Sequence, residues 1–199
     1  MEEFWTEFTK KFTMAFVTGD RWKLYLKGMC TTLELTACAL VIGVILGVLV
    51  AVVRSAHDQQ RPGQRTFALG VLNVLCKLYT TVIRGTPMLV QLLIWGFVVF
   101  KTSRNRFFVG MLGLGINSGA YVAEIVRGGL MSVDVGQSEA GRSLGLDYID
   151  TMRFIIVPQA FKNILPALGN EFIVLFKDTS LVSAIGAAEV LYYAEAVGS

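Results

Sequence analysis

Residues 35–53 read LTACALVIGVILGVLVAVV, and this stretch decides the fold class because it contains no charged residue. At about 1.5 Å per residue, a helix of this length comes close to spanning the ~30 Å hydrocarbon core of a bilayer. Extending it back to Gly28 makes it long enough, so we predict a transmembrane helix over 28–53. Gly43 and Gly47 have the four-residue spacing typical of close packing between membrane helices, although glycine is also simply frequent in such helices.

The composition of the whole chain is that of a membrane protein. Hydrophobic residues make up 54% and charged residues 17% of the 199 residues, against about 45–50% and about 25% in soluble domains. A net charge of +3 without a Lys/Arg-rich run gives no reason to expect nucleic acid as a partner. The three cysteines form no CxxC pair and there is one histidine, so we predict neither a disulfide framework nor a metal site.

Three further apolar stretches, residues 86–100, 107–123 and 154–176, predict additional spans. The first of them follows Pro87, and proline favours the first turn of a helix. Residues 67–82 are also apolar but contain Asn73 and Lys77. We predict a short helix there, at the membrane interface or packed against the bundle, and a polar loop over 54–65. The expected fold is an all-α, multi-span membrane helix bundle with about four spans.

Residues 1–27 predict an amphipathic lead-in to a transmembrane domain of residues 28–199. Three glutamates and the lack of a continuous apolar core argue against a signal peptide. Aromatic residues recur at helical spacing with lysines between them, which favours a helix lying on the membrane surface. These aromatic residues are Phe4, Trp5, Phe8, Phe12 and Phe16.

The polar segment 132–153 is the most informative part of the sequence. Residues 134–144 can form a helix rich in small residues. Gly145 suits the left-handed position just past a helix end, with Leu146 as the apolar residue behind it. Asp147 can then cap a second helix. The pattern predicts a short helix-turn-helix that projects between two membrane spans.

The second helix of this segment begins near Tyr148, and Pro158 is expected to limit or kink it. Ala140 and Gly141 leave the surface of the first helix thin, so another protein could approach it closely. Residue types and spacing alone leave an ordinary surface loop as an equal alternative.

The motif Glu139-Ala140-Gly141, followed by Gly145 and by Ile156-Val157-Pro158, resembles the EAA loop of importer permeases of the ATP-binding-cassette (ABC) class. In that family the loop docks into a groove of a cytoplasmic ATPase subunit and transmits its closure. The family usually has alanine where Gly141 stands. The coupling residues that the resemblance implies are Gln137, Glu139, Ala140, Gly141, Leu144, Gly145 and Pro158.

The resemblance covers roughly residues 28 to 190 and is closest to the permeases for polar amino acids. Five ordered segments carry it: RGTPMLVQL at 84–92, NSGAYVAEIVRGG at 117–129, GQSEA at 136–140, PALGNEFI at 166–173 and KDTSL at 177–181. It implies the fold of a type I ABC importer permease. Family members usually have one more membrane helix after the last segment, so the resemblance also implies a fifth span missing after Ser199.

The resemblance further implies a set of partners. These are two cytoplasmic ABC ATPase subunits, a second permease copy that is identical or related, an extracellular or periplasmic amino-acid-binding protein, and membrane lipid. ATP and Mg²⁺ would be bound by the ATPase partners, with no cofactor in this chain. The location would be a bacterial plasma (inner) membrane, with the Glu139 loop cytoplasmic. Lysine and arginine are equally numerous on the two predicted sides, so charge alone leaves the orientation open.

Two polar stripes are candidates for the substrate path. Asn163, Asn170 and Lys177 recur every seven residues, and Asn117, Tyr121 and Glu124 follow i, i+4, i+7 spacing, so each set lies on one helical face. Such a path could hold both the carboxylate and the ammonium of an amino acid. The candidate residues are Asn117, Tyr121, Glu124, Asn163, Asn170, Lys177, Asp178, Thr179 and Ser180.

The alternative is that these polar groups only hold the bundle together. Glu124 would then pair with a nearby arginine, and Glu171 would belong to a dimer interface or to an intramembrane hydrogen-bond network.

The leading functional hypothesis is a transport subunit without chemistry of its own, a permease for polar L-amino acids. The chain contains no GxxxxGK[ST] motif, so ATP hydrolysis is expected on partner subunits. An ion-coupled secondary transporter is the main alternative, but it would have no use for a coupling loop. A membrane-embedded enzyme using Glu124, Lys177 and Asp178 is a weaker one, because no activated nucleophile or metal signature accompanies them.

Overall fold

The computed structural model describes residues 1–59 and 66–198, and the secondary structure of these residues is entirely helical. This confirms the predicted all-α class. The α-helices are α1 (Glu2–Phe12), α2 (Trp22–Gln59), α3 (Phe67–Gly85), α4 (Met88–Ile94), α5 (Arg106–Met131), α6 (Val135–Ser143), α7 (Tyr148–Thr151), α8 (Val157–Asp178) and α9 (Val190–Gly198). Wider π-helical turns occupy Thr13–Val17, Trp95–Val99 and Met152–Ile156, and 3₁₀ turns occupy Thr18–Asp20 and Thr179–Ile185.

Three helices of the described residues are long and apolar enough to cross a membrane: Trp22–Asp58, Phe67–Gly85 and Arg106–Met131. The first begins six residues before the predicted residue 28 and continues into the predicted polar loop 54–65, as far as Gln59. Residues 60–65 of that loop lie outside the described part of the chain. Helix α5 likewise continues beyond the predicted end at residue 123.

Helix α3 corrects the prediction of a short helix over 67–82, because its 19 residues form one of the three membrane-length helices. Asn73 and Lys77 do not interrupt it. The Asn73 amide nitrogen lies 3.1 Å from His57 Nδ1, and the Lys77 side chain is exposed.

The predicted span over 86–100 is shorter than a membrane, since its apolar helix covers Met88–Val99. It starts directly after Pro87, as predicted. Thr86 has the extended backbone (φ −116°, ψ 141°) that a residue before proline prefers. The 22-residue helix α8 occupies the position of the predicted fourth span. It carries several charged residues and is not among the three helices that satisfy both length and composition.

Pro158 neither ends nor limits the helix in which it lies. Helix α7 passes without a gap into the π-helical turn Met152–Ile156 and then into α8. Proline lacks the N–H that a regular helix would use at this position. The wider turn directly before it changes the local hydrogen-bond pattern, and the helix continues to Asp178.

Contacts divide the chain into two compact units. The first consists of Met1–Cys38, Met88–Leu114 and Phe176–Ser199. In it, α9 packs so closely on α2 that a Cβ added to Gly28 would lie 2.7 Å from the Cα of Val190. The fully buried Glu189 carboxylate accepts hydrogen bonds from the backbone N–H groups of Leu191 and Tyr192, and thus caps α9.

The N-terminal helix α1 also belongs to the first unit, and every residue in it is exposed. Its phenylalanine rings form a continuous stripe, with centroids 6.4 Å apart for Phe4–Phe8 and 6.3 Å apart for Phe8–Phe12. On the polar side, the hydrogen bond from Lys11 lowers the pKa of Glu7. An exposed aromatic stripe of this kind accords with a membrane-surface helix, which remains a prediction.

The second unit consists of Ala39–Pro87 and Gly115–Leu175. Here α2 and α5 pack with almost no space between them. A Cβ on Gly47 would lie 2.6 Å from the Cβ of Val122, and one on Gly43 would lie 2.7 Å from the Ser118 hydroxyl oxygen. The prediction that these two glycines mark a close helix contact is therefore confirmed. Two glycines on α5, Gly115 and Gly119, complete the contact.

Candidate functional site

The turn between α6 and α7 has the geometry that its sequence predicts. Gly145 is left-handed (φ +84°), and its N–H donates to the Arg142 carbonyl oxygen at 2.9 Å. The N–H of Leu146 donates to the Gly141 carbonyl oxygen at 3.1 Å. These two bonds define a Schellman motif, which satisfies the last carbonyls of α6. Residues 134–158 are called the α6–α7 segment below.

Both helices of the α6–α7 segment are capped by aspartates. The Asp134 carboxylate accepts from the Gly136 N–H at 2.7 Å, and that of Asp147 accepts from the Asp150 N–H at 2.8 Å. Each satisfies a backbone donor that has no partner inside the helix. The fold of this segment therefore follows from local sequence.

The α6–α7 segment has one buried and one exposed side. Gly141 is buried, and a Cβ there would lie about 3 Å from Thr151 and Ile155. The other predicted coupling residues of the segment are solvent-facing in this chain. They are Gln137, Glu139, Ala140, Leu144, Gly145 and Pro158. Leu144 exposes 81% of its surface, which makes it the large apolar residue at the tip of the turn.

Two side-chain hydrogen bonds join the neighbourhood of α6 to α8. Gln159 Nε2 donates to Gln137 Oε1 at 3.2 Å, and Asn163 Nδ2 donates to Ser132 Oγ at 2.8 Å. We call these four residues the amide brace. Asn163, predicted for the substrate path, thus has a partner in the chain segment that leads into α6.

Glu124 lies between two arginines. Its carboxylate accepts from Arg54 of α2 and from Arg127 Nε, the latter at 3.2 Å. The Arg54 guanidinium also reaches the Thr80 hydroxyl of α3 at 3.5 Å. This arrangement matches the alternative in which Glu124 pairs with a nearby arginine, and it ties three helices of the second unit together.

The other predicted residues of the α5 stripe lie in different surroundings. Asn117 is buried, whereas Tyr121 is 37% exposed and its ring lies 5.2 Å from the Arg84 guanidinium. Next to Asn117, the Ser118 hydroxyl donates to the Glu171 carboxylate at 2.8 Å, and both residues are buried. Glu171 thus takes part in a hydrogen bond inside the bundle, as the second alternative predicted.

The remaining path candidates lie on α8 and just after it. Asn170 belongs to the second unit, and Lys177 to Ser180 belong to the first. Asn170 and Lys177 are exposed, Asp178 and Ser180 are half-buried, and Thr179 is buried. The Thr179 and Ser180 hydroxyls donate to backbone carbonyl oxygens at 2.6 and 2.7 Å. No substrate is needed to satisfy those two donors.

Sequence reasoning missed several residues that form polar contacts among the membrane helices, among them Arg54, Arg84 and Ser118. Each had a signal. Ser118 follows directly after a residue of the α5 stripe, and Arg54 follows directly after the uncharged run 35–53. Arg84 directly precedes Gly85-Thr86-Pro87, whose glycine and proline indicate a helix break.

The described residues combine membrane-length helices, polar contacts among them and a capped helix-turn-helix, an arrangement that fits a transport permease. The chain matches, over residues 43–194, the family described as binding-protein-dependent transport system inner membrane component. The matched residues are well over half of the chain, and the chain belongs to this family.

Curated relatives carry names of amino-acid permeases. The chain is 34% identical to a putative glutamine transport system permease of Rickettsia prowazekii, over 86% of this chain and 75% of the relative. It is 35% identical to an arginine transport system permease of Bacillus subtilis, over 87% of this chain and 76% of the relative. It is 36% identical to the L-cystine transport system permease of the same bacterium, over 89% of this chain and 72% of the relative.

Solved structures agree with the fold. A crystal structure described as an amino acid ABC transporter with histidines superposes with a TM-score of 0.76 at 43% identity, over 88% of this chain and 78% of that chain. An inward-facing methionine ABC transporter gives a TM-score of 0.75 at 21% identity, over 92% and 83%, and shows the fold alone. The chain is thus a permease subunit of an ABC importer, and the ion-coupled and enzymatic alternatives are not favoured.

Proposed function

We propose that this chain forms the transmembrane path for polar L-amino acids in a bacterial inner-membrane importer, and that the α6–α7 segment couples the path to ATP hydrolysis on partner subunits. The observation that supports this most directly is the construction of the segment. It is capped at both helix starts, closed by a left-handed glycine, and hydrogen-bonded to α8 through the amide brace. The amino-acid class is taken from the relatives that are named for glutamine, arginine and cystine.

Coupling would use the exposed side of the α6–α7 segment. A groove of a cytoplasmic ATPase, which binds ATP and Mg²⁺, would receive Leu144 and the small residues beside it. Closure of the ATPase pair would displace α6, and the amide brace would pass that displacement to α8. Short, well-satisfied elements move as rigid bodies, which is how small docking movements become movements of whole spans.

The assembly would contain two ATPase subunits, a second permease copy, identical or related, and an extracellular or periplasmic binding protein that delivers the amino acid. Asn117, Tyr121, Asn170, Lys177 and Asp178 are the proposed polar lining of the path. Thr179 and Ser180 would contribute at its end. Glu124 and Asn163 would support the lining, since their side chains already bind within the chain.

Co-purification with the cognate ATPase tests the coupling proposal. The permease is expressed with that ATPase and isolated in detergent, and we expect the two to remain in a stable complex. After the complex is reconstituted into vesicles, we expect its rate of ATP hydrolysis to rise when amino-acid-loaded binding protein is added. Uptake by this chain alone, driven by an ion gradient and unaffected by removal of the ATPase, would contradict the proposal.

Replacement of Lys177 tests the path. In the complete transporter we expect Lys177→Met to lower the rate of amino-acid uptake at saturating binding protein. Lys162→Met is a matched control, because Lys162 is an exposed lysine of the same helix. Wild-type uptake by the Lys177 variant would remove that residue from the proposed lining.

A further inference from the structure

Arg84 is a cation without an acidic partner among the described residues. Its guanidinium lies over the ring of Tyr121, 5.2 Å from the centroid, and its side chain is otherwise exposed. None of the ion pairs within residues 1–59 and 66–198 includes it. Arg54 and Arg127, by contrast, share the Glu124 carboxylate.

The position of Tyr121 along α5 places the Arg84 guanidinium beside the middle part of that helix. Tyr121 lies about 22 Å along the axis from the start of α5 at Arg106 and about 15 Å from its end at Met131. Helix α5 is long and apolar enough to cross a membrane, and Tyr121 lies well inside both of its ends. A charged side chain between membrane helices is found facing protein or a water-filled cavity, and such residues mark substrate or ion pathways.

The backbone beside Arg84 is broken. Helix α3 ends at Gly85, Thr86 is extended and α4 begins at Met88. A Cβ added to Gly85 would meet no atom within 4 Å, so the space beside the backbone that follows Arg84 is open within this chain. Interrupted helices at membrane depth are where transporters form binding sites for charged substrates.

We propose that Arg84, held against the face of Tyr121, binds the α-carboxylate of the transported amino acid. This inference rests on the proposed function. Glutamine, arginine and cystine, for which relatives are named, differ in side chain and share this carboxylate. A guanidinium binds a carboxylate through two parallel hydrogen bonds. Its stacking on an aromatic ring leaves the N–H edge free to do so.

The test measures preference for a carboxylate directly on the permease. The intact permease–ATPase complex is placed in lipid nanodiscs without binding protein, and L-arginine and L-glutamine are titrated by calorimetry, each against its α-carboxamide analogue. For the amino acid that binds, we expect the wild type to prefer the free carboxylate by about 10- to 100-fold, the range for hydrogen bonds between charged groups.

The variants assign that preference to Arg84. We expect Arg84→Met to abolish the preference and Arg84→Lys, which keeps the charge and the assembly, to reduce it. Tyr121→Phe should retain the preference and Tyr121→Leu should reduce it, because only the former keeps an aromatic face. Arg104→Met is the matched control, since Arg104 is an exposed arginine outside the proposed path, and it should behave as the wild type.

The outcomes separate this inference from the proposed function. A wild-type preference that persists in both Arg84 variants overturns the inference and leaves the importer proposal intact. A second contradictory outcome would be that the two permease copies dissociate in Arg84→Met while Arg84→Lys keeps the wild-type preference for the free carboxylate. The counter-ion of Arg84 would then be an acidic group of the second copy, and the inference would be overturned. Binding of neither amino acid by a wild-type complex that hydrolyses ATP would contradict the amino-acid path itself.

Discussion

The α2–α5 contact and the α6–α7 segment both depend on glycine, but for different physical reasons. The glycines at the contact have ordinary helical backbones, and they are needed because they have no side chain to hold the two helices apart. They are Gly43, Gly47, Gly115 and Gly119. At the turn, Gly145 has open space around it and a left-handed backbone that side chains disfavour. The first region is limited by packing and the second by backbone conformation.

This difference determines which residues each position accepts. A contact glycine should reject any side chain in proportion to its size, because both helix backbones would have to move apart. A left-handed position should instead discriminate by residue type, accepting asparagine better than a β-branched residue of similar volume. Substitutions of the two kinds therefore separate packing from conformation.

The largest effect is expected at the contact. We expect Gly47→Val to lower the free energy of unfolding by about 3 kcal/mol, because the new side chain would collide with Val122 and with the backbone nitrogen of Ala123. Unfolding by SDS in mixed micelles, followed by circular dichroism, measures the change. Wild-type stability would mean that the two helices do not approach as closely as described.

A smaller and more local effect is expected at the turn. Gly145→Val should cost about 2 kcal/mol of local conformational energy and weaken ATPase binding about 10-fold, while membrane insertion stays normal. Gly145→Asn is the discriminating control, because asparagine tolerates the left-handed region and should keep most of the affinity. Equal losses in both variants would show that volume, and not conformation, matters at this position.

The amide brace should contribute less to stability than either glycine site. We expect Asn163→Ala to lower the free energy of unfolding by about 1 kcal/mol or less, the value for one exposed hydrogen bond. Transport per ATP hydrolysed should nevertheless fall, because Asn163 joins the approach to α6 to α8. Asn170→Ala, an exposed asparagine of the same helix, serves as a stability control. An unchanged ratio of transport to hydrolysis in Asn163→Ala would remove the brace from the coupling proposal.

The smallest effect should have the opposite sign. Gly128 of α5 has no atom within 4 Å of an added Cβ, so Gly128→Ala gains helix propensity without a collision. We expect stabilisation of about 0.5 kcal/mol, measured by the same SDS titration. A loss of stability comparable to that of Gly47→Val would show that volume is limiting along the whole of α5.

Sequence reasoning predicted the local features of this protein well. The Schellman turn at Gly145 and the cap at Asp147 depend on residues within a few positions of one another. The spacing of Gly43 and Gly47 likewise identifies one side of a helix contact. Their partners on α5 remained unpredicted, because sequence periodicity describes one helix and not the helix facing it.

Features that depend on distant residues were predicted less well. The local pattern of residues 67–82 predicts only a short helix, because the contact between Asn73 and His57 is not visible in that pattern. Glu124 could be a path residue or an ion-pair partner, and only the meeting of α2 with α5 decides that it pairs with Arg54. The stripes themselves mix residues that bind within the chain with residues that do not.

The π-helical turn Met152–Ile156 has a consequence for the proposed ATPase interface. A turn of this kind contains one residue more than regular α-helix, and each residue of a helix rotates the chain by about 100° about the axis. Shortening Met152–Ile156 by a single residue would therefore swing everything before it, including Leu144, to another azimuth around α8. The number of residues in this turn therefore sets the direction around the α8 axis in which Leu144 points, and with it the side from which the proposed ATPase partner would bind.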